Sequence, residues 1–342
     1  MQKSILKQAK KIHLVGIGGS GMSGLAMLLF RQGKTVTGSD LEETPLLARL
    51  RQQGITVKVG HRPENISPEL DLVVCSHAVR PDNPEFQRAV TLRIPVVSYP
   101  EALGLLMQEK RGIAIAGTHG KTTSSALVVT ILKSGGLSPS FVIGGEICGL
   151  GNSEVGSGEY LIVEACEYRR SFLAYYPEIA VITSVEEDHL DYYRDLSEIQ
   201  EAFGCFAARV RPEGALIVCA EDKRALHCAG AAVARVITYG FNGADWQAGS
   251  VTESAGGISF ECFFRCEFFG SFSLPLLGRH NVLNALGAIA VGKELGLTAE
   301  TLSRALASFP GVHRRLEKIA EVGEVIIMDD YGHHPTEIRA TL

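Results

Sequence analysis

Residues 116–124, AGTHGKTTS, carry the residue types that bind the phosphate groups of a nucleotide. Gly117 and Gly120 allow the backbone to turn its N–H groups toward an anion. The Lys121 ammonium group can then reach the outer phosphates, and the Thr122 hydroxyl can ligate Mg²⁺. This stretch therefore predicts a site for a metal-complexed nucleotide.

The elements on either side of this loop have the order that a phosphate cradle requires. The apolar run 112–116 predicts a buried strand, and residues 126–133 predict a helix. The loop is shorter than the Walker pattern, which has four residues between its glycines, because only Thr118 and His119 stand there. A glycine-rich turn without a ligand is the alternative interpretation. The candidate nucleotide-binding residues are Gly117, Thr118, His119, Gly120, Lys121, Thr122 and Thr123.

Polar clusters follow two further apolar runs, 160–163 and 179–182, which predict strands covered on both faces. Glu164 comes directly after the first run, and His189 ends the cluster after the second. Ligands gather at the carboxyl ends of strands in open α/β sheets, so we expect both side chains beside the phosphates. A hydrated metal there needs carboxylates, and we expect Thr122, Glu164 and His189 to bind it. A histidine ligand is unusual for Mg²⁺, so we expect a site that contains one to accept Mn²⁺ as well. Alternatively, the acidic residues are loop charges and His189 is a capping or packing residue.

A second glycine-rich stretch, residues 16–24, follows the predicted strand 11–15 and precedes the predicted helix 25–31. The next predicted strand, 34–38, leads to the acidic residue Asp40, as in the dinucleotide-binding Rossmann layout. Taken alone, this pattern would predict NAD with Asp40 on its ribose. A glycine loop at a helix N-terminus accepts any diphosphate, however, so the motif identifies only a chemical group. Glycines that serve tight packing alone are the remaining alternative.

The segment 258–274 is rich in phenylalanine and loosely alternating, so it predicts antiparallel hairpins whose aromatic rings belong to the core. A predicted helix follows and runs to about residue 295. His280, Asn281 and Asn284 lie on its first turn. Their imidazole and amide groups either cap the helix or hold an adenine ring.

A third unit begins after Pro310, where residues 314–318 and 325–328 predict a strand pair. A polar cluster, residues 329–335, follows the second strand, and Pro335 suits the first turn of a helix. One strand pair and half a helix cannot form a domain, so we expect this sequence to be truncated.

Composition narrows the class of protein. A length of 342 residues is typical of about two domains, or three if one is small. The net charge of −5 and the lack of a basic block give no reason to expect nucleic acid. The eight cysteines form no C-x-x-C pair, so neither a zinc site nor a disulfide framework is indicated. With no secretory leader and no membrane-length apolar run, we expect a cytoplasmic protein without a membrane partner.

Seven motifs together resemble the signatures of the Mur ligase family, in the same order and over essentially the whole chain. They are GIGGSGM (16–22), SHAV (76–79) with NPE (83–85), GTHGKTT (117–123), EACE (164–167), EDHLD (187–191), HNVLNA (280–285) and DDYGHHPTE (329–337). The histidine in GTHGK and the final YGHHP are similar to the members that add L-alanine.

The resemblance implies a fold and an activity. It implies an ATP-dependent amide ligase of peptidoglycan precursor synthesis, which joins L-alanine to UDP-N-acetylmuramate through an acyl phosphate, with Mg²⁺ or Mn²⁺. It implies an α/β architecture of three domains. These are a Rossmann-like UDP-sugar domain (1–100), a central P-loop ATPase-type domain with an antiparallel β addition (101–311), and the start of a Rossmann-like amino-acid-binding domain (312–342).

The resemblance also implies roles for individual residues. Lys121, Glu164 and His189 would be catalytic, and the last two would hold metal with Thr122. His280, Asn281 and Asn284 would lie near adenine. Arg315 and Asp330 would contact ATP at a closing domain interface. The UDP-sugar would contact Gly16, Gly18, Gly19, Ser20, Gly21, Met22, Ser39, Asp40 and Ser76, and its muramoyl end Tyr331 and His333.

Three other functions stay open. A different amide ligase, either a peptide-recycling Mur relative or a folylpolyglutamate-type enzyme, would use the same chemistry on another substrate. A nicotinamide-dependent oxidoreductase would use the first glycine loop but leaves AGTHGKTT without a role. A non-catalytic nucleotide- or UDP-sugar-binding protein would match a chain that ends within its last domain. The oligomeric state is not indicated.

Overall fold

The computed structural model describes residues 5–323 and 325–342. The first part of the chain contains the strands β1 (Lys11–Val15), β2 (Thr35–Asp40), β3 (Thr56–Val59), β4 (Leu72–Cys75) and β5 (Val96–Ser98). Its helices are α1 (Ile5–Gln8), α2 (Ser20–Arg31), α3 (Pro45–Gln52), α4 (Pro84–Thr91) and α5 (Tyr99–Gln108). The strands form one parallel sheet in the order β3-β2-β1-β4-β5. The predicted Rossmann-like layout is confirmed.

The central part forms a ten-stranded sheet. Its strands are β6 (Arg111–Ala116), β7 (Ser140–Ile147), β8 (Gly151–Glu154), β9 (Tyr160–Glu164), β10 (Ile179–Ile182), β11 (Ala215–Cys219), β12 (Arg235–Gly240), β13 (Trp246–Ser254), β14 (Gly257–Phe264) and β15 (Glu267–Leu274). Its helices are α6 (Lys121–Ser134), α7 (Leu196–Ala207), α8 (Lys223–Ala229), α9 (Arg279–Glu294) and α10 (Ala299–Ala307).

The central sheet has the order β15-β14-β13-β12-β11-β10-β6-β9-β7-β8. Strands β12 to β7 in this order run parallel, as strands joined by helical crossovers do. The hairpins of β13, β14 and β15 extend one edge with antiparallel pairs. The predicted α/β class with an antiparallel addition is therefore confirmed.

The last part of the chain holds the antiparallel pair β16 (Glu317–Val322) and β17 (Val325–Asp329), followed by α11 (Pro335–Thr341). The prediction of a first strand at residues 314–318 was wrong in its position. Arg314 and Leu316 have left-handed backbone conformations, with φ of +60° and +48°, so the chain turns there and the strand begins at Glu317. The predicted boundaries at residues 100 and 311 stay predictions.

Helix α6 fixes the position of the phosphate loop. Its apolar residues from Ala126 to Leu132 are almost all wholly buried, because it packs against α9, α10 and the central strands β7 and β9. A helix that is apolar on all sides belongs inside a core. Its N-terminus is thereby held at the carboxyl end of β6.

None of the helices in the described part of the chain has both the length and the hydropathy of a membrane span.

Helix α2 joins the first sheet to the central sheet. It packs on β7 and β8, and the Asn152 side-chain amide donates a 2.9 Å hydrogen bond to the carbonyl of Ser20. Leu25 of this helix and Val142 of β7 belong to the same buried core. The helix begins at Ser20, five residues earlier than the predicted residue 25, so part of the glycine run is already helical.

A buried carboxylate, Glu85, holds the first sheet together behind its glycine loop. Glu85 is wholly buried in the first turn of α4. It accepts 2.5 Å hydrogen bonds from the Ser39 hydroxyl and the Asn65 side-chain amide, and His13 Nε2 lies 3.6 Å away. Burial alone raises the pKa of Glu85, but these neighbours outweigh it and lower the pKa to about 2.

We expect the substitution Glu85→Gln to lower the free energy of unfolding near pH 7 by roughly 2–3 kcal/mol. The pKa in the folded state lies below the ordinary value of 4.5. The ionised carboxylate therefore stabilises the fold above about pH 4.5, and this contribution is lost as the pH falls toward about 2. Urea unfolding at several pH values measures the difference between variant and parent, which should shrink below about pH 4.5. Glu69→Gln is the matched control, because Glu69 forms an ion pair with Lys11 that is exposed, and exposed ion pairs contribute little to stability. A difference that is absent near pH 7, or constant with pH, would contradict this assignment.

Candidate functional site

The phosphate loop lies at the carboxyl end of β6 and has a backbone that requires glycine. Gly117 and Gly120 have φ of +139° and +77°. A Cβ atom on Gly117 would collide with the Thr183 hydroxyl. Gly120 directly precedes α6, whose unpaired N–H groups and positive dipole end face the loop. The loop therefore has the features of an anion cradle.

The Lys121 ammonium group pairs with the buried carboxylate of Glu167, a partner that was not predicted. Its Nζ atom donates to the carbonyl oxygens of Gly117 and Thr118 and lies 3.0 Å from Glu167 Oε2. Burial is the largest single influence and acts to lower the pKa of Lys121, but the neighbouring groups Glu167, Cys166 and Glu164 together outweigh it, so the pKa is raised. Lys121 is therefore a fixed positive charge beside the loop.

Thr122 and Glu164 meet at the ends of their two elements. The Thr122 hydroxyl donates a 3.0 Å hydrogen bond to Glu164 Oε2, and the Gly144 amide donates to the same oxygen at 2.9 Å. Glu164 is the last residue of β9, the neighbour of β6 in the sheet. A hydroxyl and a carboxylate brought together in this way are ligands that suit Mg²⁺.

His189 belongs to an adjacent group of ligand atoms. His189, Glu167 and Asp188 each offer one such atom, all within 4.8 Å of one another. The predicted metal ligands Thr122, Glu164 and His189 are therefore divided between two groups. The two groups are neighbours. Lys121 directly precedes Thr122 of the first group in α6 and forms an ion pair with Glu167 of the second group.

A cavity of about 640 Å³ opens beside the loop, within the range of small-molecule sites. Side chains from α9, from the ends of β11 and β12, and from the last part of the chain line it. The predicted ATP-binding residues on its wall are His119, Gly120, Thr123, His280, Asn281, Asn284, Arg315 and Asp330. The structure thus brings together residues that are up to 211 positions apart, since the first is residue 119 and the last residue 330.

The two asparagines of α9 are buried and held in fixed orientations. The Asn281 side-chain amide donates to the Leu277 carbonyl at 2.7 Å, and the Asn284 amide donates to Asn281 Oδ1 at 3.0 Å. The residue that precedes the helix is Gly278, and no side chain caps it. The capping interpretation of these residues is therefore wrong. Burial lowers the pKa of His280, which favours a neutral ring on the cavity wall.

The last part of the chain reaches the phosphate loop through His119. Its Nδ1 atom lies 3.0 Å from Glu337 Oε1, and its Nε2 atom lies 3.3 Å from Glu186 Oε2. Burial acts to lower the pKa of His119, but the two carboxylates outweigh it and the pKa is raised. Asp330 accepts hydrogen bonds from the backbone amides of Leu316 and Gly332, so it holds the turn that carries Arg315.

The Asp40 carboxylate at the end of β2 binds the backbone of the first glycine loop. Asp40 Oδ2 accepts a 2.7 Å hydrogen bond from the Gly18 amide. Gly16, with φ of +81°, lies so close to Ser76 that a Cβ atom would come within 2.9 Å of the Ser76 Cβ. Gly19 precedes α2, and the first turn of that helix contains the predicted contacts Ser20, Gly21 and Met22.

The Ser39 side chain does not face the first glycine loop, although the resemblance implies that Ser39 contacts the UDP-sugar. Its side chain is wholly buried and donates to Glu85, so it points into the core and not toward the loop surface. Its carbonyl oxygen instead accepts hydrogen bonds from the amides of Gly16 and Ile17. This geometry argues against a nucleoside contact by the Ser39 hydroxyl and indicates that Ser39 shapes the loop.

The motif at residues 76–79 contacts the turn that follows Glu167. The His77 carbonyl accepts a 2.9 Å hydrogen bond from Arg169, and the Ser171 hydroxyl lies 3.2 Å from His77 Nδ1. Both partners belong to the turn that follows Glu167.

The predicted sugar contacts Tyr331 and His333 lie next to each other in the last part of the chain, with 5.4 Å between the centres of their rings.

Sequence reasoning named no partner for three carboxylates of this site: Glu167, Glu186 and Glu337. Glu167 and Glu337 stand in the motifs EACE and DDYGHHPTE, so their presence was visible but their partners were not. Those partners, Lys121 and His119, lie 46 and 218 positions away. Only the folded chain shows which carboxylate faces which cation.

Comparison with known proteins gives consistent matches. The Mur ligase family catalytic domain matches residues 11–111, and the Mur ligase middle domain matches residues 115–292. The UDP-N-acetylmuramate--L-alanine ligase of Caldanaerobacter subterraneus subsp. tengcongensis is 42% identical over 341 residues, which covers 98% of this chain and 74% of that protein.

Two solved structures are similar to the whole arrangement. The UDP-N-acetylmuramate-alanine ligase from Thermotoga maritima has a TM-score of 0.84 at 34% identity, covering 96% of this chain and 76% of that one. The UDP-N-acetylmuramate:L-alanyl-gamma-D-glutamyl-meso-diaminopimelate ligase from Neisseria meningitides has a TM-score of 0.81 at 28% identity. It covers 89% of this chain and 99% of that one.

Proposed function

This chain belongs to the Mur ligase family, and we propose that it is an ATP-dependent ligase that joins L-alanine to UDP-N-acetylmuramate during the synthesis of peptidoglycan precursors. The observation that carries this proposal is the arrangement at the phosphate loop. Thr122 contacts Glu164, and Lys121 pairs with Glu167, at the carboxyl ends of β6 and β9. A cavity large enough for a nucleotide lies beside them.

The chemistry follows from what an amide bond requires. A carboxylate is a poor electrophile, so its oxygen must first attack the γ-phosphorus of ATP, with ADP as the leaving group. The product is an acyl phosphate. The amine of L-alanine then attacks the acyl carbon and expels inorganic phosphate. Neither step needs a nucleophile from the protein, so positioning and charge neutralisation supply the catalysis.

The residues around the loop have the charges that this reaction needs. The substrate carboxylate and the triphosphate repel each other as they approach. Lys121, held at the loop by Glu167, offsets the charge that develops on the transferred phosphoryl group. The amides of the loop and the N-terminus of α6 bind the phosphates that stay on ADP.

A divalent metal ion fits the donors that are present. Thr122, Glu164 and the group of Glu167, Asp188 and His189 offer hydroxyl, carboxylate and imidazole ligands. Mg²⁺ prefers the oxygen donors, and the imidazole is compatible with Mn²⁺. When bound, such an ion would polarise the phosphoryl oxygens and shield their charge.

We also assign the two remaining substrate regions. The glycine loop of residues 16–22 would bind the diphosphate of the UDP-sugar at the N-terminus of α2. The Asn281 and Asn284 amides and the neutral His280 ring would face the adenine. We propose a cytoplasmic location, where ATP and nucleotide sugars are available, and L-alanine as the preferred amine.

A peptide amine is the second candidate, because the structure from Neisseria meningitides is named for a tripeptide substrate. A competition assay separates the two. With UDP-N-acetylmuramate and ATP fixed, we expect kcat/KM for L-alanine to exceed that for L-alanyl-γ-D-glutamyl-meso-diaminopimelate by at least about 100-fold. A ratio near one, or a preference for the peptide, would favour the second candidate. ADP formation that needs no sugar nucleotide would contradict both.

A further inference from the structure

Three side chains from separate segments converge beside the phosphate loop, outside the magnesium ligands described above. They are His119 of the loop, Glu186 after β10, and His334, which directly precedes α11. Each offers one ligand atom, and the three atoms lie within 4.8 Å of one another. Their side chains are 15%, 27% and 23% exposed, so the group is enclosed but reachable by a small ion.

The spacings of both histidines from Glu186 are close to those around a tetrahedral metal ion. His119 Nε2 lies 3.3 Å from Glu186 Oε2, and His334 Nδ1 lies 3.9 Å from the same oxygen. Zinc holds nitrogen and oxygen ligands at about 2.0–2.2 Å in tetrahedral sites, which places neighbouring ligand atoms roughly 3.3–3.5 Å apart. One distance already has this value, and the other needs a shift of only a few tenths of an ångström.

The outer contacts of both histidines direct the correct nitrogen atoms toward this point. His119 Nδ1 lies 3.0 Å from Glu337 Oε1, and His334 Nε2 lies 3.2 Å from the Glu187 carbonyl. A carbonyl can only accept, so His334 carries its proton on Nε2 and keeps a lone pair on Nδ1. Metal-bound histidines commonly donate their other N–H to a carboxylate or carbonyl in this way.

Thr336 now satisfies two of these ligand atoms. Its backbone amide donates to His334 Nδ1 at 3.2 Å, and its hydroxyl donates to Glu186 Oε2 at 2.7 Å. The donation to Nδ1 independently requires the lone pair that a metal would use. A cation can replace these two hydrogen bonds without any change of tautomer at His334.

We propose that His119, Glu186 and His334 form a binding site for a borderline-soft divalent ion of the Zn²⁺ type, with Glu337 as the outer-shell partner of His119. Two imidazoles and one carboxylate favour Zn²⁺, Co²⁺ or Ni²⁺ over Mg²⁺, which prefers oxygen ligands. The ion would tie the phosphate loop to α11 at the wall of the nucleotide cavity. This placement also implies that Zn²⁺ competes with ATP, and that implication rests on the proposed function. The binding of Zn²⁺ itself does not depend on the proposed function.

Zinc binding to the purified protein without nucleotide tests the site. Cys148, His313 and Glu317 form another possible zinc group, so Cys148→Ser serves as the parent. Millimolar Mg²⁺ is kept present to occupy the oxygen-rich site. Affinity is measured by competition with a chromophoric chelator. We expect His334→Asn, which retains a side chain that can cap α11, to weaken Zn²⁺ binding at least about 100-fold, and Glu337→Ala to weaken it about 10- to 100-fold.

His227→Ala is the matched control, because His227 is an exposed histidine on α8 and lies outside this group. The Zn²⁺ affinity of the His227→Ala protein should equal that of the parent. Cobalt substitution gives a second measurement. The parent should show tetrahedral cobalt absorption without a thiolate band, and His334→Asn should lose it. Equal Zn²⁺ affinity of parent, His334→Asn and Glu186→Gln would overturn the proposal, as would a parent that binds no Zn²⁺. A protein that binds Zn²⁺ in this way but lacks ligase activity would overturn the proposed function alone.

Discussion

Lys121→Ala is expected to reduce ADP formation that depends on UDP-N-acetylmuramate by roughly 10²–10³-fold or more. Lys121 is the cation that the loop holds in place, through the carbonyls of Gly117 and Thr118 and the carboxylate of Glu167. Its removal leaves the charge of the transferred phosphoryl group without this partner. Steady-state kinetics at saturating ATP measure the loss in kcat.

The same substitution leaves Glu167 buried without its cation, which costs stability on the order of 3–5 kcal/mol. The double variant Lys121→Ala with Glu167→Ala separates the two effects, since it should recover thermal stability without recovering activity. Lys133→Ala is the matched control, because Lys133 lies in the last turn of the same helix and pairs with Glu154. Near-normal turnover by a folded Lys121→Ala protein would remove Lys121 from its role.

Glu164→Gln is expected to lower kcat by at least roughly 10²-fold and to raise the Mg²⁺ concentration needed for half-maximal activity. The amide keeps the size of the side chain and can still accept from Thr122 and Gly144, whose hydrogen bonds now converge on one Glu164 oxygen. It loses the negative charge that holds a divalent cation. Activity measured over a range of Mg²⁺ concentrations shows both effects.

Glu159→Gln provides the comparison for Glu164. Glu159 directly precedes the other end of the same strand, β9, where it pairs with Arg111 on the surface. We expect this variant to retain the activity and Mg²⁺ dependence of the parent. If Glu164→Gln behaved in the same way as Glu159→Gln, Glu164 would not be a metal ligand.

The sequence predicted the parts of the site that follow from local order. A buried strand, a glycine turn and a helix place Gly117, Gly120 and Lys121 with little freedom, because strand and helix geometry fix the turn between them. Glu164 could be predicted next to Thr122 because both lie near the carboxyl ends of strands of one parallel sheet, and such strands end at the same edge. The hairpins of β13 to β15 were visible from alternation and aromatic content.

The sequence could not predict contacts between distant side chains. Lys121 pairs with Glu167, and His119 with Glu337, because of how α11 and the turn after β9 pack. Ser39 points into the core because Glu85 enters from α4, a burial that no motif records. The strand predicted at residues 314–318 begins later because Arg314 and Leu316 adopt left-handed conformations, which side-chain type alone does not indicate.

Transfer of an oxygen label measures carboxylate activation most directly. UDP-N-acetylmuramate labelled with ¹⁸O in its lactyl carboxylate is incubated with the purified protein as its gene encodes it, together with ATP, Mg²⁺ and L-alanine. If the carboxylate oxygen attacks the γ-phosphorus, the released phosphate carries one ¹⁸O atom for each amide formed. Amide formation with unlabelled phosphate, or no ATP consumption with all substrates present, would contradict the assignment of this site to phosphoryl transfer.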